Sequence, residues 1–178
     1  MVKVGFIVEG GCERIVLRSA AFRNYLVKLG LEQVGDVIDM DGKGNLKQSS
    51  QRMQNQVQTL RNRGADWILV LRDLDEPESA EAIDKVNAEM YQATDVISCL
   101  AIQEIEAWFL ADSGTLSKWF NATISCEFPQ SIEKPSGYLS DLKLAHQGRG
   151  IGDKKGFTSK LINNGFTIQR AAEHPNCP

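Results

Sequence analysis

Asp73 and Asp75 close the apolar run Trp67-Ile-Leu-Val-Leu-Arg-Asp-Leu-Asp75, with one residue between them. On an extended strand that spacing sends both side chains off the same face. Carboxylates crowded at one strand tip repel each other, and the repulsion is relieved by proton uptake or by a hard divalent cation such as Mg²⁺ or Mn²⁺, which takes oxygen ligands and keeps part of its water. The plainer reading is that one aspartate caps the next helix while the other is solvated.

The elements that must position these acids follow from periodicity. A continuous apolar run reads as a buried parallel strand, and open α/β sheets bind ligands beyond the carboxyl ends of such strands. Residues 2 to 8 predict a first strand that stops at Glu9-Gly10-Gly11, with Glu9 at its tip. Ile15, Val16, Ala20, Phe22, Leu26 and Leu29 recur at helical spacing and predict one helix over 12 to 29, ended by Gly30. Residues 34 to 40 predict the second strand. The turn after it holds Lys43 between glycines, where it either meets an anion or occupies a mobile loop. A narrow stripe of Leu46, Met53, Val57 and Leu60 predicts a surface helix over 46 to 63, and residues 78 to 92 predict another, begun by Pro77.

The fourth strand is expected over 96 to 102, followed directly by Glu104 and Glu106. On a helix these would lie about 200° apart, so at most one faces a given site unless the junction is irregular. First-turn acids at a helix N-terminus account for both equally well.

Strands alternating with helices predict an α/β fold: a four-stranded parallel sheet, helices on both faces in three layers, and right-handed crossovers. In the order 2-1-3-4, Glu9 and the Asp73/Asp75 pair would meet at the switch point. The expected organisation is an α/β domain over 1 to 120 and a mainly helical extension over 121 to 178.

Composition narrows the function. The 178 residues suit one domain with an appendage, and the net charge of -3 argues against a wholesale polyanion surface. Cys12, Cys99, Cys126 and Cys177 lack CxxC spacing, so neither a zinc site nor a disulfide framework is expected, which suits the reduced cytoplasm. No apolar run approaches the ~20 residues that span a bilayer, so no membrane partner is expected. Residues 142 to 172 carry Lys143, Arg149, Lys154, Lys155, Lys160 and Arg170 against Asp153 alone, a local charge of +5 that leaves -8 elsewhere. Such asymmetry suits a polyanion contact flanking an acidic metal site, although a solvated helical face explains it too. Lys43, Arg149, Lys154, Lys155 and Lys160 are therefore the candidate nucleic-acid contacts. The glycines between Gly148 and Gly156 lack phosphate-loop spacing, and His146 and His174 are isolated.

Val8-Glu9-Gly10 at the first strand and Asp73-x-Asp75 after the third, in this order, resemble the Toprim fold of topoisomerases, primases and the overcoming-lysogenization-defect (OLD) nucleases. The segment Ile105-Glu-Ala-Trp-Phe-Leu-Ala-Asp112 is similar to a stand-alone Toprim-like family of unknown function that itself resembles OLD-type nucleases. The resemblance covers residues 1 to about 120. It implies a Toprim-like fold and Mg²⁺- or Mn²⁺-dependent nuclease chemistry on DNA or RNA, with phage defence as the setting. In its pattern Glu9 matches the glutamate of the first motif, Asp73 and Asp75 match the metal-binding aspartates, and Glu106 or Glu104 would supply a further acid. The chain lacks the accessory domains of topoisomerases and primases and the ATPase module of OLD proteins, so a partner ATPase is among the partners implied. A non-catalytic regulatory or nucleic-acid-binding subunit is the alternative. An aspartyl-phosphate phosphotransfer domain is the third reading, but it usually needs a strand-tip lysine and hydroxyl that these strand tips do not offer.

Overall fold

The β-branched run Val2–Val8 forms the central strand, β1, of the computed structural model, which describes residues 1–177. On one side β1 pairs in parallel with two short strands, β2 (Leu31–Gln33) and β3 (Ile38–Asp39). On the other it pairs in parallel with β4 (Trp67–Asp73), Val4 lying opposite Trp67 and Val8 opposite Leu71. β5 (Val96–Ala101) lies beyond β4, giving a parallel five-stranded sheet of order β2-β1-β4-β5 with β3 beside β1. This mixed α/β architecture is consistent with a Rossmann-like fold.

The second strand, expected over 34 to 40, is instead two short pieces: only β3 lies in that range, and β2 comes before it. Gly35, at φ +69°, turns the chain away between β2 and β3, while Val34 N–H donates to Val4 C=O and Met40 N–H to Val8 C=O, each at 2.9 Å. Taken as one interrupted strand, β2 and β3 restore the expected order, but the sheet has five strands rather than four.

The chain divides into two compact units, one of residues 1–72 with 79–100 and one of residues 73–78 with 101 onward. The first carries most of the sheet. Its predicted helix over 12 to 29 is broken into α1 (Gly11–Leu17) and α2 (Ala20–Lys28), because Ser19 turns extended and its hydroxyl caps α2 by accepting Phe22 N–H at 3.1 Å. α3 (Gln51–Asn62) buries the expected stripe of Met53, Val57 and Leu60 completely. It begins later than expected, since Lys43–Leu46 is a separate 3₁₀ turn and Ser50 is the cap. α3 approaches β1 closely at Gly5, where any Cβ would stand 2.8 Å from Leu60 Cδ1. α4 (Ala80–Glu89) starts from a Ser79 cap, leaving Pro77 outside it. Arg61 clasps Asp95 with two hydrogen bonds, 2.7 Å from Nε and 2.5 Å from Nη2.

The second unit joins the turn after β4 to the C-terminal helices. Leu74 N–H donates to Ala101 C=O at 2.8 Å and Asp75 N–H to Gln103 C=O at 2.9 Å. Then follow α5 (Glu106–Ala111), α6 (Ser113–Phe120), a 3₁₀ turn at Pro129–Ser131, α7 (Pro135–Gln147), α8 (Lys154–Asn163) and α9 (Ile168–Ala172). α5 packs against α7 and α9, and Phe109 meets Phe166 edge-to-face at 5.0 Å. Asp112 ends α5 and caps α6, and its buried carboxylate takes the Arg170 guanidinium at 2.9 Å. The compact units therefore do not divide at residue 120: the helices after β5 share their core with the segment beyond 121. Among the described residues, no helix is long and apolar enough to cross a membrane.

Candidate functional site

β1 ends at Val8, and Glu9 follows with its backbone tied on both sides. Glu9 N–H donates to Leu71 C=O at 2.9 Å, and its C=O accepts Gly42 N–H at 2.8 Å. Its Oε2 lies 3.8 Å from Nε of Arg72, whose side chain is only 5% exposed. Arg72 thus sets a positive charge beside the strand-tip carboxylate. Periodicity alone did not single out Arg72, which reads there as one polar residue inside an apolar strand. Lys43, in the same unit, is exposed in its 3₁₀ turn.

In the second unit Asp73, the last residue of β4, turns one oxygen inward: Oδ1 accepts Ile105 N–H at 2.8 Å. The next helix, α4, is capped by Ser79 instead, and Asp73 holds the residue that precedes α5. Asp75 and Gln103 both adopt left-handed backbone, φ 61° and 60°, and face each other through the Asp75 N–H to Gln103 C=O bond. Left-handed backbone is costly for residues with a Cβ and persists only where the surroundings hold it.

That irregular junction brings together the acids that a continuous helix would separate. Lys154 Nζ stands 3.0 Å from Glu104 Oε1 and 3.4 Å from Glu106 Oε1. Glu104 Oε2 also accepts Ser136 N–H at 3.0 Å, from the first turn of α7, where backbone donors and the helix dipole favour an anion. Burial pushes the Glu104 carboxyl up, but the Ser136 bonds and Lys154 outweigh it and leave it below its ordinary value. Glu106 is 2% exposed. Burial, reinforced by Glu104, pushes its carboxyl up against the pull of Lys154. Among the described residues no hydrogen-bond partner reaches Glu106 Oε2. Burial works against the Lys154 ammonium, yet the two glutamates hold it charged well above its ordinary range.

The basic segment is less available than its charge suggests. Lys143 is 5% exposed and donates to the Gly150 carbonyl at 3.1 Å and the Arg149 carbonyl at 3.4 Å, Arg170 is committed to Asp112, and Lys154 to the two glutamates. Arg149, Lys155 and Lys160 are exposed.

Oxygen-only donors suit a hard divalent ion, and the orphaned buried Oε2 of Glu106 is an acceptor that such an ion could satisfy. As the side chains stand, no group of three or more His, Cys, Asp or Glu among the described residues could hold a metal ion, and the charge between Glu104 and Glu106 is the lysine's.

Sheet and acids together define an α/β protein with carboxylates following its parallel strands. A family model matches residues 8–145, and the chain belongs to that family, described as Domain of unknown function (DUF4276). The matched span includes Glu9, Asp73, Asp75, Glu104 and Glu106 and ends before Lys154. No curated protein and no solved structure matches the chain.

Proposed function

We propose that this protein is a Toprim-like, Mg²⁺- or Mn²⁺-dependent nuclease that hydrolyses phosphodiester bonds in DNA or RNA. The observation that carries the reading is Glu106: a carboxylate buried and incompletely satisfied, beside Glu104 and Lys154, on the turn that Asp73 holds. Buried acids of this kind are costly unless a function retains them. The divalent ion, when bound, would polarise the phosphoryl oxygen and lower the pKa of a water. Asp73, Asp75 and Glu106 are its proposed ligands, with Glu104 as the alternate acid. Motif order alone gives Glu9 the role of ligand or general base, and as the base it would accept the proton of an attacking water as the phosphorus–oxygen bond to the leaving strand breaks. Lys154 neutralises the glutamates before substrate arrives. Arg149, Lys155 and Lys160 would contact the nucleic-acid backbone, and Lys43 is a further candidate contact. The resemblance to OLD-type nucleases supports a setting in phage defence.

A second reading, a non-catalytic nucleic-acid-binding subunit, draws on the lysine already neutralising the acid pair. Cleavage of single-stranded and duplex substrates with Mg²⁺ or Mn²⁺ separates the two. Asp75→Asn is the informative variant, because asparagine tolerates the left-handed backbone at that position. Turnover in the wild type that disappears in Asp75→Asn supports the nuclease. Equal residual cleavage in both marks a contaminant and favours the binding subunit.

A further inference from the structure

Beside the Asp75–Gln103 turn the second unit opens a cleft of about 650 Å³, a volume within the ~300–1,000 Å³ of small-molecule sites. Gln103 lines it. That residue is 4% exposed, and its backbone carbonyl is pinned by Asp75 N–H at 2.9 Å. Its side-chain amide brings both a donor and an acceptor to the cleft wall, on a residue held in left-handed backbone.

The rest of the lining indicates what occupant fits. Phe128 is half exposed, offering an aromatic face. Gln130 and Asn176 add amides, and Asn176 is oriented by donating to the Glu127 carbonyl at 2.8 Å. Glu78 and Glu133 bring carboxylate acceptors, and among the described residues neither lysine nor arginine lines the cleft. A phosphate would find no cation there. A flat, uncharged group rich in donors would find a stacking face, amides and acceptors together.

We infer that this cleft binds a single unstacked nucleobase, and that its acceptors favour guanine. Unstacked bases are recognised by stacking on aromatic side chains and by hydrogen bonds to their Watson–Crick edges. Guanine is the common base whose edge presents adjacent donors, N1–H and the exocyclic amine, to a carboxylate. The inference rests on the nuclease reading only in supposing that the base belongs to a strand whose phosphates lie outside the cleft.

The test uses neutral nucleosides and calorimetric titration of the full chain in EDTA, so that neither metal nor phosphodiester chemistry enters. Guanosine should bind saturably and more tightly than adenosine, cytidine or uridine. Gln103→Gly, which removes the amide and relieves the left-handed backbone, and Phe128→Ala, at an exposed position, should each weaken it by ~10-fold or more, the equivalent of one good hydrogen bond or stacking contact. Spermidine probes the competing possibility that the acids simply collect cations. Spermidine binding without guanosine binding, no saturable nucleoside binding, or guanosine affinity unchanged in both variants would each overturn the proposal. Guanosine binding in a protein that cleaves no strand would leave the subsite standing and remove the nuclease reading.

Discussion

The Asp73 carboxylate accepts the Ile105 backbone N–H at 2.8 Å, joining the end of β4 to the turn that begins α5. One residue of the Asp-x-Asp motif is thus a structural clamp on the turn that presents Glu104 and Glu106. Ligand and clamp need the same carboxylate, so its two roles are separable only by the right substitution.

Asp73→Ala removes the acceptor from a part-buried N–H and should cost about 1–3 kcal/mol of stability. Asp73→Asn keeps an acceptor oxygen and should recover most of that loss while weakening any divalent-ion stabilisation. Urea unfolding with and without Mg²⁺ measures both effects. Equal stability of the Ala and Asn variants would show that the clamp contributes nothing.

Removing Lys154 should expose the cost of burying Glu106. Breaking a fully buried pair costs several kcal/mol, but the Lys154 side chain is 44% exposed, so screening reduces the loss in Lys154→Met to about 1–2 kcal/mol. Adding Glu106→Gln should restore much of it. Mg²⁺ should raise the melting temperature of Lys154→Met more than that of the wild type, because the lysine no longer competes for the acids. A smaller metal effect in the variant would mean that Lys154 does not occupy the cation position.

Nucleic-acid affinity should depend on Arg149, Lys155 and Lys160 rather than on Lys143 or Arg170. Each of the three changed to alanine should lower the magnitude of the salt-dependence slope by about 1 if its side chain displaces a counterion from a phosphate. Filter binding across a salt series reads the slopes. An unchanged slope in the triple variant would place the contact elsewhere.

Acid stability should carry the signature of Asp95. The hydrogen bonds from Arg61 hold its carboxyl below the ordinary value of 3.8, with burial opposing. A carboxyl depressed in the folded state contributes fully above its unfolded pKa, and the contribution is lost as pH falls through the folded pKa. The Arg61–Asp95 contribution should therefore be full at neutral pH, begin to fall near about pH 4, the unfolded aspartate value, and be gone only below the lower folded value. Asp95→Asn should flatten that part of the stability profile. A wild-type profile retained in the variant would assign the acid limb to other carboxylates.

The local elements of this protein were legible in the order of its residues, because a strand or helix face is written in nearest-neighbour periodicity. Val2–Val8, Trp67–Asp73 and Val96–Ala101 are unbroken apolar runs, and Met53, Val57 and Leu60 mark one helical stripe. The breaks were less legible: Ser19 and Gly35 act through backbone angles that compete with a continuing pattern, and only the packed chain decides the competition. Charge was read least well. Lys143, Lys154 and Arg170 looked like one basic face, yet the tertiary structure buries the first against carbonyls, sets the second between Glu104 and Glu106, and clamps the third to Asp112. A charge advertises its sign along the chain, but its partner lies dozens of residues away. Burial and the path of the intervening chain choose that partner.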